Sequence, residues 1–377
     1  MKYKFLFILS FLSVCTLFAQ ELALARLEGG KFGYISKSGD WQIQPNFIKA
    51  AGFSEGYAAA MGDNEKWGYI NKKGEWAIPA QYDRVKAFNS NIAIVAIEKE
   101  WFYINTKGEK ILTNVKSDKL YDFNEGYAQV KQNDLIGFIN TKGETVVAPK
   151  FQKAFSFQNG YAKVREAEKW GIIDTSGNYL VKTIYDGVSY NANGSIIAKQ
   201  GEAHGLILNG EFKVVPGAEK IWDFYKENTL TYAKKEGKIG FINTKGEWVI
   251  APAFDKARAF SNGLAPVNKD KRWGYINTKG ETVVPFEYYD AEIFSDSGLA
   301  PVKVKKLWGF INTEGKLVIK DQYDITTRGF ATMFAKAYDK GFIDGLARVK
   351  YNKKWNYIDT DGKPINDVWF LNLELFN

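Results

Sequence analysis

His204 is the only histidine in the chain and Cys15 the only cysteine. A Ser-His-Asp or Cys-His arrangement needs an imidazole to carry its proton, so any such site must be built on His204. That residue opens the stretch "HGLILNGE", at a position where related stretches carry tryptophan, and it reads as a packed strand residue. With one histidine, and Cys15 inside the first twenty residues, only oxygen ligands remain for a metal ion. The recurring "NTKGE" puts Lys-Gly after a strand, without the glycine spacing or following helix of a phosphate loop. Carboxylate pairs remain available among 43 acidic residues, but none recurs outside the repeat logic described below. The expectation is a non-catalytic protein with no catalytic, cofactor or metal residues.

Composition agrees with an ordinary folded chain, 45% hydrophobic and 25% charged, with aromatics raised to 16%. Length alone suggests about two domains. Residues 1–19 place Lys2 and Lys4 ahead of an apolar run from Phe5 to Ala19, the layout of a secretory signal peptide cleaved between Ala19 and Gln20. The run is too short to span a bilayer, which takes roughly 20 residues. Val14 stands where a lipidated Cys15 would need a small neighbour. The mature chain is therefore expected to be secreted, periplasmic or at the cell surface, with no transmembrane segment. Loss of Lys2 and Lys4 takes the formal charge from +8 to +6, too mild a balance to argue for nucleic acid.

The elements that carry these residues are written ten times. "RWGYINTKGE" at 272–281 nearly recurs as "KWGYINKKGE" at 66–75 and "KIGFINTKGE" at 238–247. The marker glycines Gly33, Gly68, Gly137, Gly171, Gly205, Gly240, Gly274 and Gly309 are 34 or 35 residues apart, with one double step of 69 filled by Phe102. A tenth copy puts Asn356 at the marker after a step of 47. Alternation around Trp273-Gly274-Tyr275-Ile276-Asn277 and Thr282-Val283-Val284 predicts two strands about a "TKG" turn, with Gly280 at positive φ and Asn277 bonding the turn backbone. Asn209-Gly210 predicts a two-residue type I′ hairpin in the sixth copy. An Ala-x-Val strand upstream, as at Ala265/Val267, completes a three-stranded antiparallel meander.

Each glycine weakens its strand unless something covers the bare backbone, and a neighbouring indole can do so. Trp67, Trp101, Trp170, Trp273, Trp308 and Trp355 hold that position, with Phe32, Ile136, His204 and Ile239 in the other copies. These are expected to fill seams between units; the alternative is an exposed ladder for stacking sugars. Links such as "PAFDKARAFSNG" carry paired aromatics, Phe254 and Phe260 among them, that should pin the crossover to the core. The acids in these links, including Asp83, Asp186, Asp255, Asp290 and Asp324, read as turn residues bonding their own backbone. Lys73, Lys107, Lys142, Lys245 and Lys279 form a turn row balanced by nearby glutamates and read as solvated; weak anion or polysaccharide affinity is the alternative.

The repeated "WG-aromatic-I-N-T-K-G", with its "GLAPV"-type strand, resembles the WG repeats, also called KWG repeats, of exported bacterial proteins. The resemblance covers residues 21–365 and weakens at Phe102, across 203–211 and at Asn356. It implies a repeat scaffold and carries no active site across. The predicted organisation is a leader (1–19), a repeat array (20–365) with a short helix in the 326–342 insertion, and a C-terminal strand (366–377) capping the last unit. The expected fold is all-β, the units stacked as an open β-solenoid, with toroidal propeller-like closure as the alternative. The expected function is protein–protein interaction with an envelope or extracellular partner. Polysaccharide binding is the alternative, and an envelope-polymer hydrolase with a non-repeated acidic cleft beside the insertion ranks third.

Overall fold

A computed structural model describes residues 21–325 and 340–377; the leader with its cleavage site at Ala19 and Gln20, and the insertion helix, lie outside the described residues. Among those described, the chain forms ten small antiparallel sheets and no helix, hence none long and apolar enough to cross a membrane. The second sheet shows the unit: a short lead strand Lys49–Ala50, then Tyr57–Met61, Trp67–Asn71 and Trp76–Tyr82. The last three are the expected meander. The lead strand, drawn from the link, is a fourth member that hydrophobic alternation over two residues could not reveal. The fourth and tenth sheets have three strands, the others four.

Ten apolar clusters lie between neighbouring sheets. Tyr69, Ile78 and Tyr82 of the second sheet, for example, pack on Ala93, Val95 and Ile104 of the third. Link aromatics such as Phe254 and Phe260 are buried as expected. Where a tyrosine follows the marker it reaches one unit further: Tyr34 Oη donates to Ala51 O at 2.8 Å, Tyr69 to Lys86 O at 2.7 Å and Tyr275 to Glu292 O at 2.8 Å. An open stack of ten sheets has nine seams. The tenth joins Ala23, Ala25 and Ile35 of the first sheet to Tyr357, Phe370 and Leu373. The terminal strand Asn372–Phe376 does not cap the last unit; it pairs with Ala23–Arg26 and fills the missing lead position of the first sheet. Lys37–Asp344 and Lys354–Glu28 ion pairs cross the same junction, and Asn366 Nδ2 donates to Gly39 O at 2.7 Å. The array is thus a closed ten-bladed β-propeller, which corrects the open solenoid. The physical reason is that an open array leaves an apolar sheet face bare at each end, and closure buries both.

The marker glycine is explained by a bulge. Trp67 lies opposite Tyr82 and Tyr69 opposite Ile78, so two residues of the third strand face four of the fourth. The slack folds over Gly68, where a Cβ would sit 2.5 Å from Ile78 O and 2.7 Å from Ala80 N. Gly274 is covered in the same way by Val284 O at 2.6 Å, and Gly137, Gly171, Gly205, Gly240 and Gly309 likewise by main-chain atoms of the fourth strand. Main chain, rather than an indole, is the usual cover; Gly33 has both, with Trp41 beside it. Phe102 escapes because its fourth strand shrinks to Lys110–Ile111 and passes only Ile104 and Tyr103. Buried Asn356 uses its amide instead, donating to Asn366 O at 2.9 Å and Val368 O at 3.1 Å.

The turns follow the sequence. Asn277 Oδ1 accepts from Lys279 N and Glu281 N, both at 3.0 Å, and Gly280 has φ +86°. Asn209 and Gly210 both have positive φ, at +52° and +84°, as a type I′ turn requires.

Candidate functional site

The seventh, eighth and ninth sheets place the same link position on successive units: Trp222 N donates to Tyr232 O, Arg258 N to Pro266 O and Glu292 N to Pro301 O. Because the register repeats, three unlike side chains are brought to adjacent seams. Arg258 Nη1 lies 3.0 Å from Asp290 Oδ1 and its Nε 3.1 Å from Glu292 Oε2; Nη1 also donates to Ala291 O. Lys340 Nζ takes the other Glu292 oxygen at 2.8 Å. The guanidinium carbon sits 4.5 Å from the Trp273 ring centre. Trp222 stacks on Tyr232 at 4.9 Å and 28°, with Lys220 Nζ 4.4 Å from the indole.

Arg258 belongs to the walls of two cavities. One of about 540 Å³ is lined by Trp222, Tyr232, Lys256, Trp273 and Tyr289; the other, about 580 Å³, by Tyr225, Tyr232, Glu292, Lys340 and Ile343. Both have the size and aromatic walls of ligand pockets. Burial raises the pKa of the Tyr232 hydroxyl. The Arg272 guanidinium, 3.8 Å from the Tyr289 ring centre, lowers the pKa of that hydroxyl, although Tyr289 is 53% exposed. The larger cavity lies beside the insertion, where a hydrolase would need an acidic cleft. Its acids Glu292, Asp296 and Asp344 are matched by Lys226, Arg258 and Lys340, and both Glu292 oxygens are taken by cations. No group of three or more metal-ligating side chains occurs among the described residues.

The repeat tryptophans are seam residues to different degrees. Trp308 is 2% exposed and Trp273 7%; Trp67, Trp170 and Trp355 are half-buried, and Trp101 is 39% exposed. Cations cover several of them, Lys163 at 4.4 Å from Trp170 and Arg348 at 5.0 Å from Trp355. Of the six, Trp101 alone is exposed, where a sugar-stacking ladder would expose several. His204 is half-buried opposite Lys199, and burial, followed by that lysine's charge, lowers its pKa. Most link acids do not bond their own turn. Asp83, Asp186 and Asp255 accept from backbone N–H groups of the next unit's hairpin and from Lys66, Lys169 and Lys238 one unit back. The lysine partner is the main cause holding each carboxyl below the usual range. Asp290 does bond locally, accepting from Ala291 N as well as from Arg258.

The Arg258 cluster was not found in the sequence, because Trp222, Arg258 and Glu292 share a repeat position but no chemistry. The signal was available: a link position that changes type while its neighbours hold constant.

Fold and site together define a ring of Trp-Gly repeats with ligand-sized cavities at its seams. The chain belongs to the family described as WG containing repeat, which matches residues 32–66, 67–101, 101–135, 136–170, 170–202, 239–273, 273–308 and 308–327. No curated protein matches. Among solved structures, the chain is similar to a eukaryotic initiation factor at 13% identity, covering 95% of this chain and 98% of that one, with a TM-score of 0.49. It is also similar to Kluyveromyces lactis Hsv2p (13%, 69% and 99%, TM-score 0.35) and to the WD40 β-propeller domain of Doa1 (14%, 59% and 88%, TM-score 0.25). None of the three reaches a TM-score of 0.5.

Proposed function

We propose that the protein is a non-catalytic scaffold, working outside the cytoplasm after loss of its leader, that holds a partner protein on the cavities around Arg258. Repeat propellers serve in general as interaction scaffolds. The observation that carries the finer reading is the juxtaposition of Arg258, Trp273 and exposed Tyr289 in one cavity wall. Arginine and large aromatics in desolvated pockets are the usual anchors of protein interfaces.

The test is site-specific photo-crosslinking on cells of the source organism. A photoreactive phenylalanine analogue at Tyr289 should trap one partner at defined stoichiometry, and Arg258→Ala should reduce that adduct at least tenfold. The same analogue at Val249, exposed on a fourth strand, should trap nothing. Equal, unselective labelling from both positions overturns the proposal.

A further inference from the structure

Positive charge is concentrated at one level of the repeat. Lys49, Arg84, Lys153, Lys220 and Lys256 each open a lead strand. Lys119 holds that register in the fourth sheet, where Asp118 N donates to Lys131 O just as Asp83 N does to Ala96 O. All six are exposed, and none is ion-paired among the described residues. Three of the acids one position earlier are occupied elsewhere, Asp83 with Lys66, Glu219 with Lys234 and Asp255 with Lys238, while Asp118 shares a cavity wall with Lys119. The row is therefore mainly positive over the second to fifth, seventh and eighth sheets, with Asp118 its nearest opposing charge, and it ends at the ninth, whose lead strand opens with Asp290.

Across the second to fourth sheets this row meets an apolar floor. A cavity of about 310 Å³ is lined by Ala59, Trp67 and Val85, with Arg84 and Lys86 its only charged groups. The next, about 370 Å³, is lined by Ile94, Trp101 and Leu120 together with Lys86, Asp118 and Lys119. Lys86, which also pairs with Asp122 at 3.0 Å, belongs to both walls, so the two cavities adjoin along one track of the surface. Trp101 is open here because the fourth strand that would cover it is cut to two residues.

We propose that this track binds an extended acidic polypeptide segment whose apolar side chains fill the two cavities while its carboxylates meet Arg84 and Lys119. The aliphatic part of these floors, Val85, Ile94 and Leu120, favours a peptide over an acidic sugar, whose hydroxyls would meet it without partners. The proposal takes from the scaffold reading only that the ring holds polypeptide. It concerns a different part of the ring from Tyr289.

The experiment is fluorescence anisotropy on the full mature chain, with a labelled peptide of about twelve residues alternating glutamate and phenylalanine as the probe. Arg84→Gln with Lys119→Gln should weaken binding at least tenfold, and replacing the peptide's glutamates by glutamine should do the same. Lys49→Gln with Lys153→Gln, which line none of the cavities described, should change it less than twofold. Arg84→Lys with Lys119→Arg, which keeps both charges, should retain binding; unchanged circular dichroism shows that all variants fold. Equal affinity in the first double variant, or equal binding of the glutamine peptide, overturns the proposal. So does binding of a polygalacturonate oligomer through Arg84 and Lys119 when the peptide does not bind. The crosslinks at Tyr289 report on the scaffold reading separately.

Discussion

Leu373, near the carboxyl end, lies directly opposite Ala25, near the start of the first sheet. Both side chains are buried in the seam that also holds Tyr357 and Phe370. The chain thus completes its first blade with its last strand, and every seam of the ring shares the stability of this junction.

Leu373→Ala should cost about 2–5 kcal/mol, the range for removing a buried leucine side chain. Truncation after Phe370 should cost more, because it also bares Ala23, Ala25 and Ile35. Urea denaturation of the two variants against the parent measures both. Equal stability of the truncated chain would mean that the last strand is not structural.

Gly274→Ala should destabilise by about 1–3 kcal/mol, since the new methyl meets main chain at Val284 O and Pro285, not a side chain that can move. Thermal unfolding of this variant beside Gly263→Ala separates the causes. Gly263 has positive φ but open space around it, so its cost is backbone strain alone.

Asn356→Ala should cost about 1–3 kcal/mol for each stranded carbonyl, here Asn366 O and Val368 O. Asn356→Gly should not rescue it, because glycine brings no amide to Asn366 O and Val368 O, in a segment held by the Trp355–Phe370 and Ile358–Pro364 bridges and by Ile365 N donating to Tyr357 O. Chemical denaturation distinguishes the two variants from the parent.

Two carboxyls should give opposite pH signatures. Burial in the closing strand is the main cause raising Glu374 above the usual range, so its folded form prefers to stay neutral. Its contribution is full below the unfolded pKa and is lost as pH rises through the raised one. Glu374→Gln should therefore be more stable than the parent at pH 8 and equal to it at pH 3. Asp255, held low first by Lys238, contributes above the unfolded pKa and loses that contribution as pH falls through the lowered one. Asp255→Asn should be less stable than the parent at pH 8 and equal at pH 3. Melting temperatures across that range check both signs.

The repeat unit was legible because alternation and turn chemistry are local: Gly280, Asn277 and the Asn209-Gly210 pair name their own backbone states. Closure was not legible, because the pairing of Ala25 with Leu373 spans nearly the whole chain and no local pattern encodes it. The glycine's need for cover is legible in the sequence but the nature of that cover is not, since a bulge that sets Tyr82 opposite Trp67 leaves no mark in residue type. The lead-strand cations could have been read, as Lys or Arg follows the link acid in "FDK", "YDR", "SDK" and "AEK" at the repeat period. The turn lysines are the more regular signal, but their neighbouring glutamates are bound by asparagines such as Asn277.

Closure is tested most directly by a distance across the junction. Lys37 and Asp344 are exposed and joined at 3.1 Å, and the expected mature chain carries no other thiol if both are changed to cysteine and spin-labelled. The closed ring predicts a label-to-label distance of about 10–20 Å by pulsed electron paramagnetic resonance, a side-chain-scale separation. An open stack of the same sheets would place the labels about 90 Å apart, nine steps at the ~10 Å spacing of packed sheets, and a distance of that order would contradict the account.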